Sequence, residues 1–538
     1  MAIACLPQAG LFAFPQVQPT PRLVVGIVVD QMRYDYISKY WDKFGYDGFK
    51  RLIREGYFLK NVHYNYMPTY TGPGHASIYT GCTPSVHGII ANNWYDKEND
   101  RTIYCVEDKT VKALGGSEKS GQMSPRQMLC TTLGDQLKLS DNFRSKVIGI
   151  ALKDRGAILP AGHSADAAYW FDGTTGNWIS SSFYMKELPA WLNEFNNLGK
   201  AKQYLENDWT TLLPIEEYTE STADDSPYEK PFAGMSKPVF PYKLKELMAE
   251  NDRLNLIRST PYGNTLTRDM AIETIRSENL GKGKSTDFIC ISFSSTDYVG
   301  HQFGPNAVEV EDTYLRLDKD LGELLTFLDN WVGEKNALLF LTADHGASEN
   351  AELLKEHRIP EGRFNEAALL KKCRSYLAAK YGDSLALSVS NQQVFLNHKS
   401  IHALKLNTET TESDLADFLL REEGVANVYT STTVSNWGAT SDLKSKIQNG
   451  FNQKRSGDLL INYFPYWTDN NTPTGTTHGS PYDYDTHVPL IFYGNGIKQG
   501  SSEEQTDITD IAATLAYLLN IQEPSGCMGK IIGGLQGY

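Results

Sequence analysis

LVVGIVVD, residues 23–30, is an unbroken apolar run that ends on a carboxylate, Asp30. A run without polar alternation marks a strand buried on both faces, as in a parallel sheet covered by helices on each side. The same design returns in KVIGIALKDR (146–155), DFICISFSSTD (287–297), ALLFLTADHG (337–346) and HVPLIFYG (487–494). Between and after these runs lie helical patterns: TLTRDMAIETIRSEN (265–279), VEVEDTYLRLDKDLGELLTFLDNWV (308–332) and DITDIAATLAYLLNI (507–521). Alternating strands and helices predict an α/β fold, a three-layer α/β/α sandwich with a mainly parallel central sheet.

Two stretches break the rhythm, about 160–280 and 350–475. The first opens with a hairpin pattern, YWFDGTTGNWISSS (169–182). The second holds the helical EAALLKKCRSYLAAKYG (366–382) and the strand-like LSVSNQQVFLN (387–397). Both read as inserted cap regions that roof the sheet within a single catalytic domain, 23–538. Residues 1–22 form an apolar start followed by a proline-bearing linker, similar to the tail of a secretory signal with Ala13 at a small-residue cleavage position, though without a basic n-region. Export to the periplasm or medium of a bacterium is therefore the expectation.

The chain has 538 residues, of which 41% are hydrophobic, ample for a sizeable core. A formal net charge of −14 argues against a nucleic-acid or anionic-membrane surface. It does not exclude an anionic small substrate, since local cations or metals override the global sign. No apolar run is long enough to span a membrane. Seven scattered cysteines show no zinc-finger spacing, and their odd number prevents complete pairing within one chain.

Ligands of open α/β sheets sit beyond the carboxyl ends of the strands. Four of the strands deliver ionisable groups there: Asp30; Lys153 and Arg155; Asp297 with His301; Asp344 with His345. Any one of them reads equally well as a helix cap or a surface charge. Together, with two Asp/His pairs, they read as a ligand set for zinc or another divalent ion. Asp297 and His301 share one helical face at a spacing of four, and Gly346 lets the chain turn after the adjacent Asp344 and His345. The donors exceed the needs of one tetrahedral ion, and two ions about 4 Å apart suit phosphoryl transfer.

YTGPGHASIYTG (70–81) reads as a loop entering a helix, with Pro73 in the first turn and Thr71 near the N-cap. By itself Thr71 is a cap. A helix N-terminus is also an anion site, where a threonine hydroxyl activated by a metal can attack phosphorus. The glycines are expected to let the backbone approach the phosphate, and His75 to be structural. Lys153 and Arg155, two apart, project to one side if the backbone stays extended, offering a point charge and a fork to phosphate oxygens.

The pieces VVDQMRYDY, YTGPGHASIYTG, HGIIANNWYD, LKDRGAILPAGHSADAAYWFD, SSTDYVGHQFGP, TADHG and THGSPYDYDTHVPLIFYG, in this order from residue 23 to past 494, resemble the alkaline phosphatase superfamily. Within it they are similar to the secreted PafA-like phosphatases with a threonine nucleophile. The resemblance implies two zinc ions per chain, one held by Asp297, His301 and His478, the other by Asp30, Asp344 and His345 with Thr71 as nucleophile and open-position ligand. It also implies that Asn92, Lys153 and Arg155 bind the phosphoryl oxygens of small-molecule phosphate monoesters, through a phosphothreonine intermediate. His487 and Asn93 are the neighbouring alternatives to His478 and Asn92. CTPSVHG (82–88) partly resembles the sulfatase signature that becomes formylglycine, but Val86 stands where that signature has arginine, and Cys82 reads as a packed helical residue. A monomer without a nucleic-acid partner is expected. The alternatives are a phosphodiesterase or phosphonate hydrolase of the same superfamily, and a metal-binding protein without catalysis.

Overall fold

The computed structural model describes residues 20–438, 442–469 and 472–536. The segment expected to be a signal remnant falls mainly on residues 1–19, which with Cys5 lie outside the described residues. The main sheet has eleven strands: β1 (Leu23–Val29), β2 (Tyr57–His63), β3 (Ala113–Leu114), β4 (Val147–Ala151), β5 (Ala167–Asp172), β6 (Asn177–Ser181), β7 (Asp287–Phe293), β8 (Ala337–Thr342), β9 (His487–Gly494), β10 (Gly500–Ser502) and β11 (Thr506–Asp507). Their order is β10-β2-β9-β8-β1-β7-β4-β5-β6-β3, with β11 also paired to β2.

The centre, β8-β1-β7-β4-β5, is entirely parallel. Every residue of β1, β4, β5 and β7 is buried, as strands covered on both faces must be. The cover comes from two groups of helices. In one, α1 (Thr71–Thr80) packs on α2 (Asp154–Ala161) and on the C-terminal Asp510–Leu519 helix. In the other, Val308–Val332 packs on Tyr262–Ser277 and on Ser295–Phe303, here α3. The fold is the expected α/β sandwich.

Strand β9 departs from the expectation of a fifth strand like the others. It runs antiparallel to both β8 and β2, with Thr342 opposite Leu490 and Leu338 opposite Gly494. Its Pro489, which has no N–H to give, sits where the pairing with β2 shifts register. The reversal matters for function: the segment before β9, not after it, reaches the carboxyl edge of the parallel strands.

The hairpin expected at 169–182 forms as β5–β6, and it extends the main sheet beyond β4. The second irregular stretch contains a four-stranded antiparallel sheet (Ala386–Ser390, Gln393–Leu396, Val425–Thr430, Leu459–Tyr463) with its own apolar cluster around Leu377, Leu415 and Ile461. Within it, LSVSNQQVFLN is two strands, turned at Asn391 and Gln392, both at positive φ as a two-residue hairpin loop requires. Gln392 donates through Nε2 to the carbonyl of Gly479, which ties this sheet to the loop preceding β9.

Candidate active site

Thr71 is the first residue of α1 rather than its cap; Tyr70 holds the cap position and makes no side-chain cap. Buried at 1% exposure, the Thr71 hydroxyl is therefore released from capping and lies 3.5 Å from His345 Nε2 and 3.4 Å from Lys153 Nζ. A Cβ on Gly74 would stand 2.4 Å from the carbonyl oxygen of Asp344, so this glycine lets the start of α1 pack directly on the loop after β8.

Around this hydroxyl stand three buried carboxylates. Asp30 follows β1, Asp344 follows β8, and Asp297 lies in the first turn of α3, after β7. The Lys153 ammonium bridges two of them, 2.7 Å from Asp30 Oδ2 and 2.6 Å from Asp297 Oδ2. Lys153 and Arg155 do not continue an extended strand: β4 stops at Ala151 and α2 begins at Asp154, so the two side chains diverge. Arg155 instead donates through Nη1 to the hydroxyl of Tyr104 at 3.1 Å. Among the described residues it has no carboxylate at ion-pair distance, and its buried Nε has no acceptor.

Three histidines complete the ring. Each gives one nitrogen to a backbone carbonyl: His301 Nδ1 to Thr476 (2.8 Å), His345 Nδ1 to Gly346 (2.9 Å) and His478 Nδ1 to Thr69 (2.7 Å). A carbonyl only accepts, so Nδ1 carries a proton in each ring, and in the neutral ring Nε2 is the lone-pair nitrogen, the state in which imidazole binds metal. Against the cost of burial, Asp297 beside His301 raises that ring above its ordinary pKa. Those Nε2 atoms face the acids: His301 lies 3.2 Å and His478 3.7 Å from Asp297 Oδ1, and His345 lies 3.4 Å from Asp344 Oδ2 and 3.6 Å from Asp30 Oδ1. Burial, reinforced by neighbouring His345, holds His478 well below its ordinary pKa and hence neutral.

His487, the alternative to His478, lies elsewhere; it stacks between Tyr34 and His63 and bonds the carbonyl of Lys60. Asn92 accepts from Gly72 N–H at 2.7 Å, beside the nucleophile, whereas Asn93 is exposed and starts a strand of its own. His75 is buried, bonded to the Thr71 carbonyl and to Ser292, with Nδ1 3.4 Å from Asp344 Oδ2. Cys82 is buried but sits in the turn after Gly81 rather than on a helix, its Sγ 3.4 Å from that of Cys130.

The donor set fits a divalent metal. Among the described residues, two groups of three bring ligand atoms within 4.8 Å of one another: Asp297, His301 and His478; and Asp30, Asp297 and His345. The first is the expected set. In the second, Asp297 takes the place expected for Asp344, whose Oδ1 accepts from Gln31 N–H at 3.1 Å while its Oδ2 faces His75 and His345 at 3.4 Å each. Asp30 Oδ1 and Asp344 Oδ2 are buried and accept no hydrogen bond. Burial and the charge of Asp344 push the Asp30 carboxyl well above the usual range, whereas His301 and Lys153 overcome burial to hold Asp297 well below it. Three acids buried together raise the cost of ionising Asp30, and a divalent cation held among them would favour all three in the charged form.

Two contributors escaped the sequence reading. Gln31, at positive φ, donates through Nε2 to Asp297 Oδ1 at 2.9 Å, while its N–H holds Asp344. A Cβ on Gly300 would stand 2.0 Å from the Gln31 amide oxygen, so the glycine of DYVGH makes room for it. Asp485 accepts from Gly479 and Ser480 N–H, shaping the loop that carries His478. The adjoining DQ and YDYD letters are the signals available, and neither identifies a partner.

Comparison with known proteins bears on what this centre is. Residues 24–481 match the type I phosphodiesterase / nucleotide pyrophosphatase family. The chain is 45% identical to alkaline phosphatase PhoV of Synechococcus elongatus over 97% of its own length and 94% of that protein's. It is 46% identical to alkaline phosphatase PafA of Elizabethkingia meningoseptica, covering 96% and 94% of the two chains. A crystal structure of wild-type PafA superposes with a TM-score of 0.93 at 45% identity, over 96% of this chain and 99% of that one. The chain belongs to the PafA-like alkaline phosphatases. The four strand ends and the loop before β9 thus lie together at the carboxyl edge of a PafA-like fold.

Proposed function

We propose that this chain hydrolyses phosphate monoesters to inorganic phosphate, with two zinc ions as cofactors and Thr71 as the nucleophile. One observation carries the reading: three imidazole Nε2 atoms and three buried carboxylates gather beside a threonine hydroxyl freed from capping at a helix N-terminus. Asp297, His301 and His478 would hold one ion; Asp30, Asp344 and His345, with Thr71, the other. Bound zinc lowers the pKa of a coordinated hydroxyl and offsets charge on the phosphoryl oxygens.

The chain's own groups supply the rest. Thr71 Oγ1 gives up its proton to water and forms a bond to phosphorus as the ester P–O bond breaks; the leaving alkoxide keeps that electron pair and takes a proton from water, so no net proton is gained or lost. Water then cleaves the phosphothreonine, releasing phosphate and restoring the hydroxyl. Asn92 Oδ1 is occupied by Gly72 N–H, so its Nδ2 amide is the end that donates to a phosphoryl oxygen. Arg155 offers donors that no carboxylate occupies, and the helix N-terminus favours the same anion. A solved PafA variant, 44% identical, is substituted at a threonine, an asparagine, a lysine and an arginine spaced as Thr71 and Asn92, and Lys153 and Arg155, are.

The family's phosphodiesterase designation favours a second reading, diester hydrolysis. Steady-state hydrolysis of p-nitrophenyl phosphate and bis-(p-nitrophenyl) phosphate, with metal quantified on the same samples, decides between them. The monoester should be cleaved faster, and Thr71→Ala should lose at least about a hundredfold in kcat while retaining zinc. Faster diester cleavage, or full activity in Thr71→Ala, overturns the proposal.

A further inference from the structure

Arg155 is one of two guanidinium groups on the same cavity that lack a carboxylate partner. The cavity, of about 440 Å³, opens beside Lys153 and Arg155 and is walled by Tyr298, Phe171 and Arg258. Arg258 lies on the 3₁₀ segment Arg253–Ser259 and donates through Nη2 to the carbonyl of Phe171 at 2.7 Å. Its Nε is buried without an acceptor, and among the described residues no carboxylate lies at ion-pair distance. Its guanidinium carbon sits 5.7 Å from the Phe171 ring centre and 5.9 Å from that of Tyr298. On the same Tyr298 ring, Lys153 Nζ lies 5.2 Å from the centre. Tyr298 therefore links the cation beside the nucleophile to a second cation further out.

The segment is held in place. A Cβ on Gly173, at the tip of the β5–β6 hairpin, would stand 1.7 Å from Asn255 Oδ1, so hairpin and 3₁₀ segment are in close contact. Three carboxylates also line the cavity, and each is engaged locally. Asp154 accepts from Tyr104 and from Arg155 N–H, Asp172 from Thr174 and Thr175, and Asp252 from Asn255. They leave the Arg258–Tyr298 wall as the part of the cavity suited to an anion. A half-buried guanidinium without a carboxylate partner can recognise phosphate or carboxylate through its remaining donors.

We propose that Arg258 is a specificity-determining residue that binds an anionic group on the leaving portion of the substrate, so that the preferred monoesters carry a second phosphate or a carboxylate. This rests on the monoesterase reading above. It assigns the cavity to the leaving group, with Arg155 turned to the phosphoryl group under attack and Arg258 to the second anion.

The test compares n-butyl phosphate with 1,4-butanediol bisphosphate, two esters of similar leaving-group chemistry, by phosphate release at fixed ionic strength. Wild type should prefer the bisphosphate by about tenfold in kcat/KM beyond the factor of two for its two equivalent phosphates. Arg258→Gln should bring that preference down to roughly the statistical factor, and Arg258→Lys, which keeps the charge, should retain part of it. Absence of a preference in wild type, an unchanged preference in Arg258→Gln, or an equal loss on both esters overturns the inference, the last marking Arg258 as structural. If wild type hydrolyses neither ester, the monoesterase reading itself fails, which is a separate result.

Discussion

Replacing Arg155 by alanine separates an anion-binding role from a structural one, because the structure gives this guanidinium so little else to do. It makes one hydrogen bond, to Tyr104, and no ion pair among the described residues. Removing it should cost little stability: one neutral-partner bond is lost, and an unpaired buried charge is relieved. Its contribution to a bound phosphoryl group should be much larger. Two charge-assisted bonds at about 1.5–3 kcal/mol each come to about 3–6 kcal/mol, or roughly 10²–10⁴ in kcat/KM for a monoester. A diester has one fewer charged oxygen, so about half of that free energy is at stake, roughly 10–10² in kcat/KM. Steady-state kinetics on p-nitrophenyl phosphate and bis-(p-nitrophenyl) phosphate, with calorimetric Tm for both proteins, reads all of these quantities. A Tm drop of many degrees with equal losses on the two substrates would refute the reasoning and make Arg155 a packing residue.

Asp297→Asn should lower zinc content from near two per chain to about one by elemental analysis, since this carboxylate belongs to the group proposed to hold the ion with His301 and His478; it should also destabilise the metal-free protein by about 3–5 kcal/mol at most, as Lys153 keeps Asp30. Gln31→Leu should weaken zinc binding about tenfold in a chelator competition, and Gly300→Ala should act in the same direction by displacing the Gln31 amide. Glu309 gives a pH test away from the centre. Burial raises its carboxyl to about 8, and Tyr242 donates to it. A folded pKa above the unfolded value means that the folded state holds the extra proton, so stability falls as pH rises between about 4.5 and 8. Glu309→Gln should therefore raise Tm at about pH 9 while changing it little at about pH 5, and a parallel shift at both values would contradict this assignment.

The sheet was readable because strands buried on both faces leave a run of apolar residues that needs no partner to be recognised. LVVGIVV forms β1, and Asp30 follows at its carboxyl end, as the run implies. Such a run says nothing of direction. HVPLIFYG looks like its fellows, yet β9 is antiparallel, and only that reversal brings the loop with His478 to the carboxyl edge. Spacing alone could not select His478 over His487; family resemblance did, and the stacking of His487 on Tyr34 and His63 gives the physical reason. The same limit applies to Lys153 and Arg155. Their placement at a strand end was legible, but not the helix start at Asp154 that sends one toward the carboxylates and the other toward Tyr104.

The residues that escaped notice share a feature. Gln31 bonds Asp297, 266 positions away, and its own letter in VVDQMRYDY carries neither charge nor periodicity. Its effect runs through a glycine on another helix, so neither member of the pair is informative without the other. Carboxylates and imidazoles at strand ends declare their chemistry by type, and a sheet edge assembles them without further information. The groups that orient them are amides, backbone carbonyls and glycines, common everywhere in the chain, and only the folded geometry distinguishes the few that matter. Here those few fix which nitrogen of each histidine bonds the backbone and which oxygen of Asp344 is held by Gln31 N–H. Those choices give a cluster of titratable side chains the orientation that the proposed metal binding requires.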